Sequence, residues 1–316
     1  MGFLATERIS RMGSAVAEEA MSKMHEDEVD TDIRLVSRLL ATQFPRWANL
    51  PLRSVEPAGT DNAIYRLGES MSVRLPRIHW AVEQPIKEHA WLPRLAPHLS
   101  LAIPEPLALG EPAEGYPWHW SICSWLPGES ASPDHLDDPD VTAMDLARFV
   151  RDLEAIDGAG GPTPDGRGEP LETRDGACRA SIEELGETID RSWAEAEWDA
   201  ALAAPVWSAA PVWIHGDLDA RNLLAADGRL LGVLDWGSLA VGDPAADVMV
   251  AWKMFDADIR RRFRAEIGVD DATWSRARGW AVSQAVMILS YYTLETNAVL
   301  VIEAERWLSE LLADPI

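Results

Sequence analysis

Cysteine is nearly absent: this 316-residue chain has only Cys123 and Cys178, far apart and outside any CxxC spacing. That excludes a disulfide framework and a cysteine zinc site, and sets the expectation of a reducing compartment. Long apolar runs are missing too, none approaching the roughly 18 residues of a membrane span. The first residues lack the basic-then-apolar order of a secretory signal. The expectation is a cytoplasmic protein with no membrane partner. Basic charge is scarce, with 28 Lys+Arg against 52 Asp+Glu and a net charge of −24. Such a balance disfavours nucleic acid and anionic membranes and favours cationic small molecules. No internal repeat and no low-complexity tract interrupts the chain.

What is present begins with enough apolar material, 47% of the residues, to bury a substantial core at a length between one large domain and two lobes. Fifteen tryptophans should mostly fill that core, with a minority lining a pocket. Residues 1–23 read as a flexible N-terminal extension, with Met24 as an alternative start, because helical periodicity begins only after Asp30. Apolar residues at Ile33, Val36, Leu39 and Leu40 predict a helix over 31–44, ended by Pro45. Strand patterns follow at 52–55, 63–67 and 71–75, separated by turn formers Gly59, Asp61, Asn62 and Gly68. A helix over 80–95, its regular part set by Pro85, and strands at 107–109 and 119–125 complete a small α+β lobe.

Pro127 and Gly128 mark a break. Residues 24–126 are therefore expected to form one lobe and 127–316 a mainly helical second lobe. Its helices are predicted at 141–156, 176–203, 274–294 and 298–312, with a Pro/Gly-rich loop over 158–170. One β-rich island lies among them at 212–236, where Asp227-Gly228 is a strong hairpin signal between 222–225 and 230–234.

That island holds the candidate chemistry. In the run IHGDLDARN, Asp217 is followed five positions later by Asn222, and thirteen positions after that by Asp235-Trp236-Gly237. Phosphoryl transfer needs a carboxylate near the attacking hydroxyl and oxygen ligands that hold Mg²⁺ against nucleotide phosphates. A loop followed by a tight hairpin can bring these three side chains to one cleft. Any one of them alone would read as a turn or capping residue; the spacing of all three matches a kinase catalytic loop and metal-binding Asp.

The runs HGDLDARNLL and GVLDWGSLAVGDPAAD resemble the aminoglycoside phosphotransferase family, which includes macrolide kinases. The resemblance implies a protein-kinase-like two-lobed α+β fold with a β-rich N-lobe and a mainly helical C-lobe. It implies Asp217 as catalytic base, Asn222 and Asp235 as Mg²⁺ ligands, and His215 as a brace of the catalytic loop. The element Gly242-Asp243-Pro244 with Asp247 matches the family's GDPxxD, where Asp243 is expected to cap a helix and fix the loop.

Upstream, Gly59, Thr60 and Asn62 take the nucleotide-loop position. Arg74, in the run SVRLPR, stands where many relatives carry Lys, with Glu88 of the next helix as its expected partner. A guanidinium there could grip phosphate or carboxylate bidentately. The run SICSWLPG resembles the hinge, with Ser124 and Leu126 expected to offer backbone groups to the purine of ATP or GTP.

Only eight positions separate Asp235 from Asp243, too few for the activation segment of a protein kinase. The acceptor is therefore expected to be a small molecule. An aminoglycoside is the favoured acceptor because it fits the acidic composition, with Asp219 and Glu295 as candidate contacts for its amines. A macrolide fits the RxPR pattern and the tryptophans. An endogenous metabolite kinase and an inactive nucleotide-binding module are the further alternatives.

Overall fold

The computed structural model describes residues 28–55, 61–132 and 135–314. Residues 1–23 and the pair Gly59 and Thr60 lie outside that set.

The chain opens with α1 (Ile33–Gln43), capped by the Asp32 carboxylate, which accepts from Leu35 N–H at 2.6 Å. Its buried stripe of Leu35, Val36, Leu39 and Leu40 packs on an antiparallel sheet. That sheet contains β1 (Leu52–Ser54), β2 (Asn62–Leu67), β3 (Met71–Pro76), β4 (Pro106–Gly110) and β5 (Trp120–Ser124), in the order β1-β2-β3-β5-β4. Strand β3 is buried along its whole length, so its polar residues Ser72 and Arg74 need internal partners. Helix α2 (Gln84–Leu95) crosses between β3 and β4, with Pro85 in its first turn. Its Leu92 and Leu95 join the core of the second lobe rather than that of the sheet. Behind α2, Ala102 pairs with the second lobe through Ala102 N–H to Leu231 O (3.0 Å) and Val233 N–H to Ala102 O (2.8 Å). The two cores are thus tied together at more than the hinge.

Beyond the hinge come β6 (Glu129–Ser130), α3 (Pro139–Glu154), α4 (Asp175–Leu185) and α5 (Arg191–Ala203). Next are β7 (Val212–Ile214), β8 (Leu223–Ala226), β9 (Arg229–Val233) and β10 (Ala240–Gly242), then α6 (Ala245–Val248) and α7 (Val250–Met254). The chain closes with α8 (Ala257–Ile267), α9 (Asp271–Tyr291) and α10 (Leu294–Leu312). The architecture is kinase-like, a β-sheet lobe followed by a mainly helical one. Hairpin β8–β9 turns at Asp227 and Gly228, with φ of +50° and +72°, the left-handed pair that a two-residue turn requires.

Three details differ from the expectations. The single helix over 176–203 is two, because Gly186 at φ +54° ends α4, and the Asp190 carboxylate, accepting from Trp193 N–H at 3.0 Å, starts α5. Helix α8 went unanticipated because its run of arginines hides the stripe of Phe263 and Ile267; Arg260 is buried by pairing with Glu310 and Asp314. The short strands β6 and β10 carry no periodicity of their own and exist by pairing with β8 and β7.

Candidate active site

Strand β7 delivers the loop that starts at His215. Gly216 turns it at φ +81°, where a Cβ would lie 3.0 Å from Ser238 Cβ and O. The buried Asp247 carboxylate accepts from the backbone N–H of both His215 and Gly216, each at 2.7 Å. The His215 ring donates from Nε2 to Leu234 O (2.8 Å) and accepts at Nδ1 from Asp217 N–H (3.1 Å), an arrangement that puts its proton on Nε2. Its face meets Trp236 edge-on at 4.8 Å between centroids. Asp243 accepts bidentately from Arg276 (2.7 and 3.1 Å) and from Ala245 N–H at the start of α6 (3.0 Å). The loop after β7, the hairpin exit and helices α6 and α9 are thus clamped by buried polar contacts, which fix position far more sharply than apolar packing alone.

Asp217 projects from this frame into a cavity of about 390 Å³, which Asn222 and Asp235 also line. Asn222 donates from Nδ2 to Asp217 O (2.8 Å) and Asp217 Oδ2 (3.3 Å), which turns its own oxygen away from Asp217. Asp217 Oδ1 meets Arg167 Nη1 at 2.6 Å and Lys253 Nζ at 3.9 Å. Burial on its own would raise the Asp217 carboxyl, but the positive groups of Arg167, Lys253 and Arg221 outweigh it and hold the group well below the usual carboxylate range.

Asp235 follows β9 in the left-handed conformation, φ +58°, which swings its half-exposed carboxylate toward the sheet lobe. There Arg74 Nη2 donates to Asp235 Oδ1 (3.1 Å), while Arg74 Nη1 reaches both Glu88 oxygens (3.0 and 2.9 Å). Burial opposes the Arg74 charge, yet Glu88 and Asp235 together raise its pKa above the ordinary arginine value. Burial likewise pushes the Glu88 carboxyl up, and Arg74 opposes that shift. Asn222 and Asp235 offer hard oxygen donors to one cavity, and Arg74 bonds to only one of the two Asp235 oxygens. Mg²⁺ bound between nucleotide phosphates needs only one or two protein oxygens of this kind, so the residues present fit it.

The other candidates are placed as follows. Asn62 is buried and donates to Gln84 Oε1 (2.8 Å); beside it Asp61, not anticipated from the sequence, opens onto the cavity, its carboxyl raised chiefly by burial. Ser124 ends β5 with its N–H bonded to Glu105 O (2.8 Å) and its hydroxyl accepting from Glu105 N–H (2.8 Å). Its N–H is therefore engaged within the sheet lobe. Leu126 lies half-buried beside Gly232. Asp219 borders the cavity but is 2% exposed, with its oxygens taken by Arg221 (N–H 2.9 Å, Nη2 2.5 Å). Glu295 is exposed in the first turn of α10 and does not line the cavity. Neither offers a free carboxylate at the site.

Sequence reasoning missed the cations. Arg221 stood inside the motif, one position before Asn222. Lys253 was signalled by a charge within the apolar run VMVAWKMF. Arg167, between two glycines at φ +92° and +89°, carried no signal, and neither did Arg174.

A sheet lobe whose buried Arg–Glu pair reaches an Asp on the far side of the cleft, above a helical lobe with a clamped Asp-bearing loop, defines a kinase-like phosphotransferase fold. The chain belongs to the Phosphotransferase enzyme family, whose profile matches residues 54–280. It is 30% identical over 138 residues to an aminoglycoside 3'-phosphotransferase of Escherichia coli, covering 40% of this chain and 49% of that one. To the viomycin phosphotransferase of Streptomyces vinaceus it is 27% identical over 189 residues, 56% and 65% of the two chains. The matched stretches thus span about half to two-thirds of those relatives. Among solved structures, the GDP and kanamycin complex of APH(2")-IIia superposes with a TM-score of 0.70 at 22% identity, over 89% and 99% of the chains. The macrolide 2'-phosphotransferase of Brachybacterium faecium gives 0.57 at 25% identity, over 90% and 98%.

Proposed function

We propose that this chain transfers the γ-phosphoryl group of ATP or GTP, with Mg²⁺, to a hydroxyl of an antibiotic-class small molecule. The observation that carries the reading is the convergence of Asp217, Asn222 and Asp235 on one cavity between a sheet lobe and a helical lobe. Asp217 orients the acceptor hydroxyl and takes its proton as the new O–P bond forms and the bond to the leaving nucleoside diphosphate breaks. Asn222 and Asp235 hold the metal, which would neutralise phosphate charge when bound. Arg74, positioned by Glu88, grips a phosphate oxygen, and the hinge near Leu126, between the lobes 24–126 and 127–316, receives the base. His215 and Asp243 keep the loop in place. Use of a nucleoside triphosphate donor agrees with a cytoplasmic location.

For the acceptor, the cavity favours a macrolide-type ring over an aminoglycoside. A polycation needs free carboxylates; Asp219 is held by Arg221, and Glu295 lies off the cavity, which leaves Asp61 and Asp165 as the acids there besides Asp217 and Asp235. The cavity lining also carries Ile288, Tyr292, Leu300 and Trp307 with Arg174 and Gln284, groups suited to an apolar ring bearing oxygen acceptors. The E. coli and S. vinaceus relatives support antibiotic phosphorylation in general, and the B. faecium structure supports the macrolide variant. A panel of aminoglycosides, macrolides, tuberactinomycins and common metabolites, assayed with γ-labelled ATP and GTP, tests this. Label on a macrolide hydroxyl is expected. Label on aminoglycosides alone would reverse the acceptor preference, label on a metabolite alone would make the enzyme a metabolite kinase, and no transfer to any compound would favour an inactive nucleotide-binding module.

A further inference from the structure

Lys253, on α7, belongs to none of the motifs above. Its side chain is completely buried, and its Nζ has no hydrogen-bond partner. An ammonium left in that state is costly unless charges nearby compensate it. The groups that face it are the Asp217, Asp219 and Asp247 carboxylates and the Arg167 and Arg221 guanidiniums. Burial pulls its pKa down to about 8, against the pull of Asp217 and Asp219. The Trp307 ring covers it, 4.7 Å from Nζ to the centroid. Next to Trp307, Arg306 donates to the Lys253 backbone carbonyl, so α10 holds the residue at both its main chain and its head.

The Asp217 oxygen it faces, Oδ1, is also the one that Arg167 occupies. Those two cations differ in kind. Arg167 is 30% exposed and stands on a glycine-flanked surface loop at the cavity wall. An acceptor hydroxyl that approaches Asp217 Oδ1 from the cavity competes with Arg167 for that oxygen. Arg221 cannot replace it, being bound to Asp219. Lys253 approaches from the protein interior and does not line the cavity.

We propose that Lys253 is a positioning residue for Asp217, keeping the carboxylate aimed into the cavity when Arg167 gives way to the acceptor. The proposal rests on the phosphotransferase reading for its kinetic half alone. Lys253→Met keeps the chain length and removes the charge; because it leaves the Asp217 carboxylate without this cation, its melting temperature should fall modestly. Its kcat should fall about tenfold with the nucleotide KM unchanged, an effect of the size seen between contacting residues. In an Asp217→Asn background the same substitution should add little, because the charge it serves is gone. The geometric half needs no turnover. In a crystal structure of Arg167→Ala the Asp217 carboxylate should keep its place, and in Arg167→Ala/Lys253→Met it should be displaced. An unmoved carboxylate in the double variant, or an unchanged kcat in Lys253→Met, overturns the proposal. So does a kcat loss that persists in full on top of Asp217→Asn, which would mark a structural role. Wild-type protein inactive over the whole panel would instead defeat the phosphotransferase reading, and the pair of crystal structures would still decide the role of Lys253.

Discussion

On the sheet side of the cleft one cation is shared by two carboxylates; on the helical side one carboxylate is shared by several cations. Arg74 is divided between Glu88 and Asp235, and all three belong to spacings that a reader of the sequence can follow. Asp217 is surrounded by Arg167, Lys253 and, further off, Arg221, which come from a loop, a helix and its own motif. The first arrangement suits a fixed ligand, a metal–nucleotide complex whose phosphates add negative charge to a site already carrying two carboxylates, so that metal must enter with them. The second suits a variable ligand: an ionised base is kept ready while the cation in front of it is exchanged for substrate.

The sharpest way to break this contrast is at the residue that joins the two sides. Asp235→Ala removes the proposed metal ligand and the second partner of Arg74, and kcat should fall by about 10³-fold, since metal and charge stabilisation supply several kcal/mol to such a transition state. Nucleotide titrations with and without Mg²⁺ should then give the same affinity. A variant that kept its metal dependence would place the metal elsewhere.

A smaller effect is expected on the sheet side alone. Arg74→Lys keeps a charge near Glu88 but cannot bridge to Asp235 as a planar fork does. The nucleotide KM should rise about tenfold with kcat little changed, as measured in steady-state assays over both substrates. A reversed pattern, kcat lost and KM kept, would move Arg74 from binding into the chemical step. Truncation to Ala is less informative, because it leaves Glu88 buried without its partner and costs roughly 3–5 kcal/mol of stability.

The smallest effect lies behind the catalytic loop. Burial, aided by Asp247 and Asp243 and opposed by Arg151, pushes the Glu154 carboxyl from its ordinary 4.5 up to about 7. The folded protein therefore keeps that proton to higher pH than the unfolded chain does. The stabilising contribution is full below about 4.5 and is lost as pH rises through 7. Glu154→Gln, always neutral, should raise the melting temperature by about 3 °C at pH 8 and leave it unchanged at pH 4.5. Equal shifts at both pH values would show that the effect is one of packing.

How much of this was legible follows the same division. The hairpin, the sheet and the triad were readable because each rests on local periodicity or on a fixed spacing, and Asp227-Gly228 dictates its turn by backbone sterics. The surroundings of Asp217 were not, because Arg167, Lys253 and Trp307 are far apart in sequence and meet only through tertiary packing. Composition was a blunt guide there as well: a net charge of −24 suggested acidic contacts for a polycation, and Asp61, Asp165, Asp217, Asp219 and Asp235 do line the cavity, but Arg167, Arg174 and Arg221 line it with them. Of the tryptophans, Trp120, Trp198, Trp213, Trp236, Trp252 and Trp280 fill cores, and Trp307 is the one that borders the cavity among the described residues.

The central claim is that Asp217 is the base in a phosphoryl transfer. Its most direct test is the rate at which γ-labelled nucleotide passes its label to an acceptor hydroxyl in wild type and in Asp217→Asn, measured on preparations whose melting curves and nucleotide affinities match. The account predicts label on the acceptor for the wild type and a rate lower by about 10² to 10⁴ for the near-isosteric variant. Transfer at the wild-type rate by Asp217→Asn, with fold and nucleotide affinity intact, would contradict it.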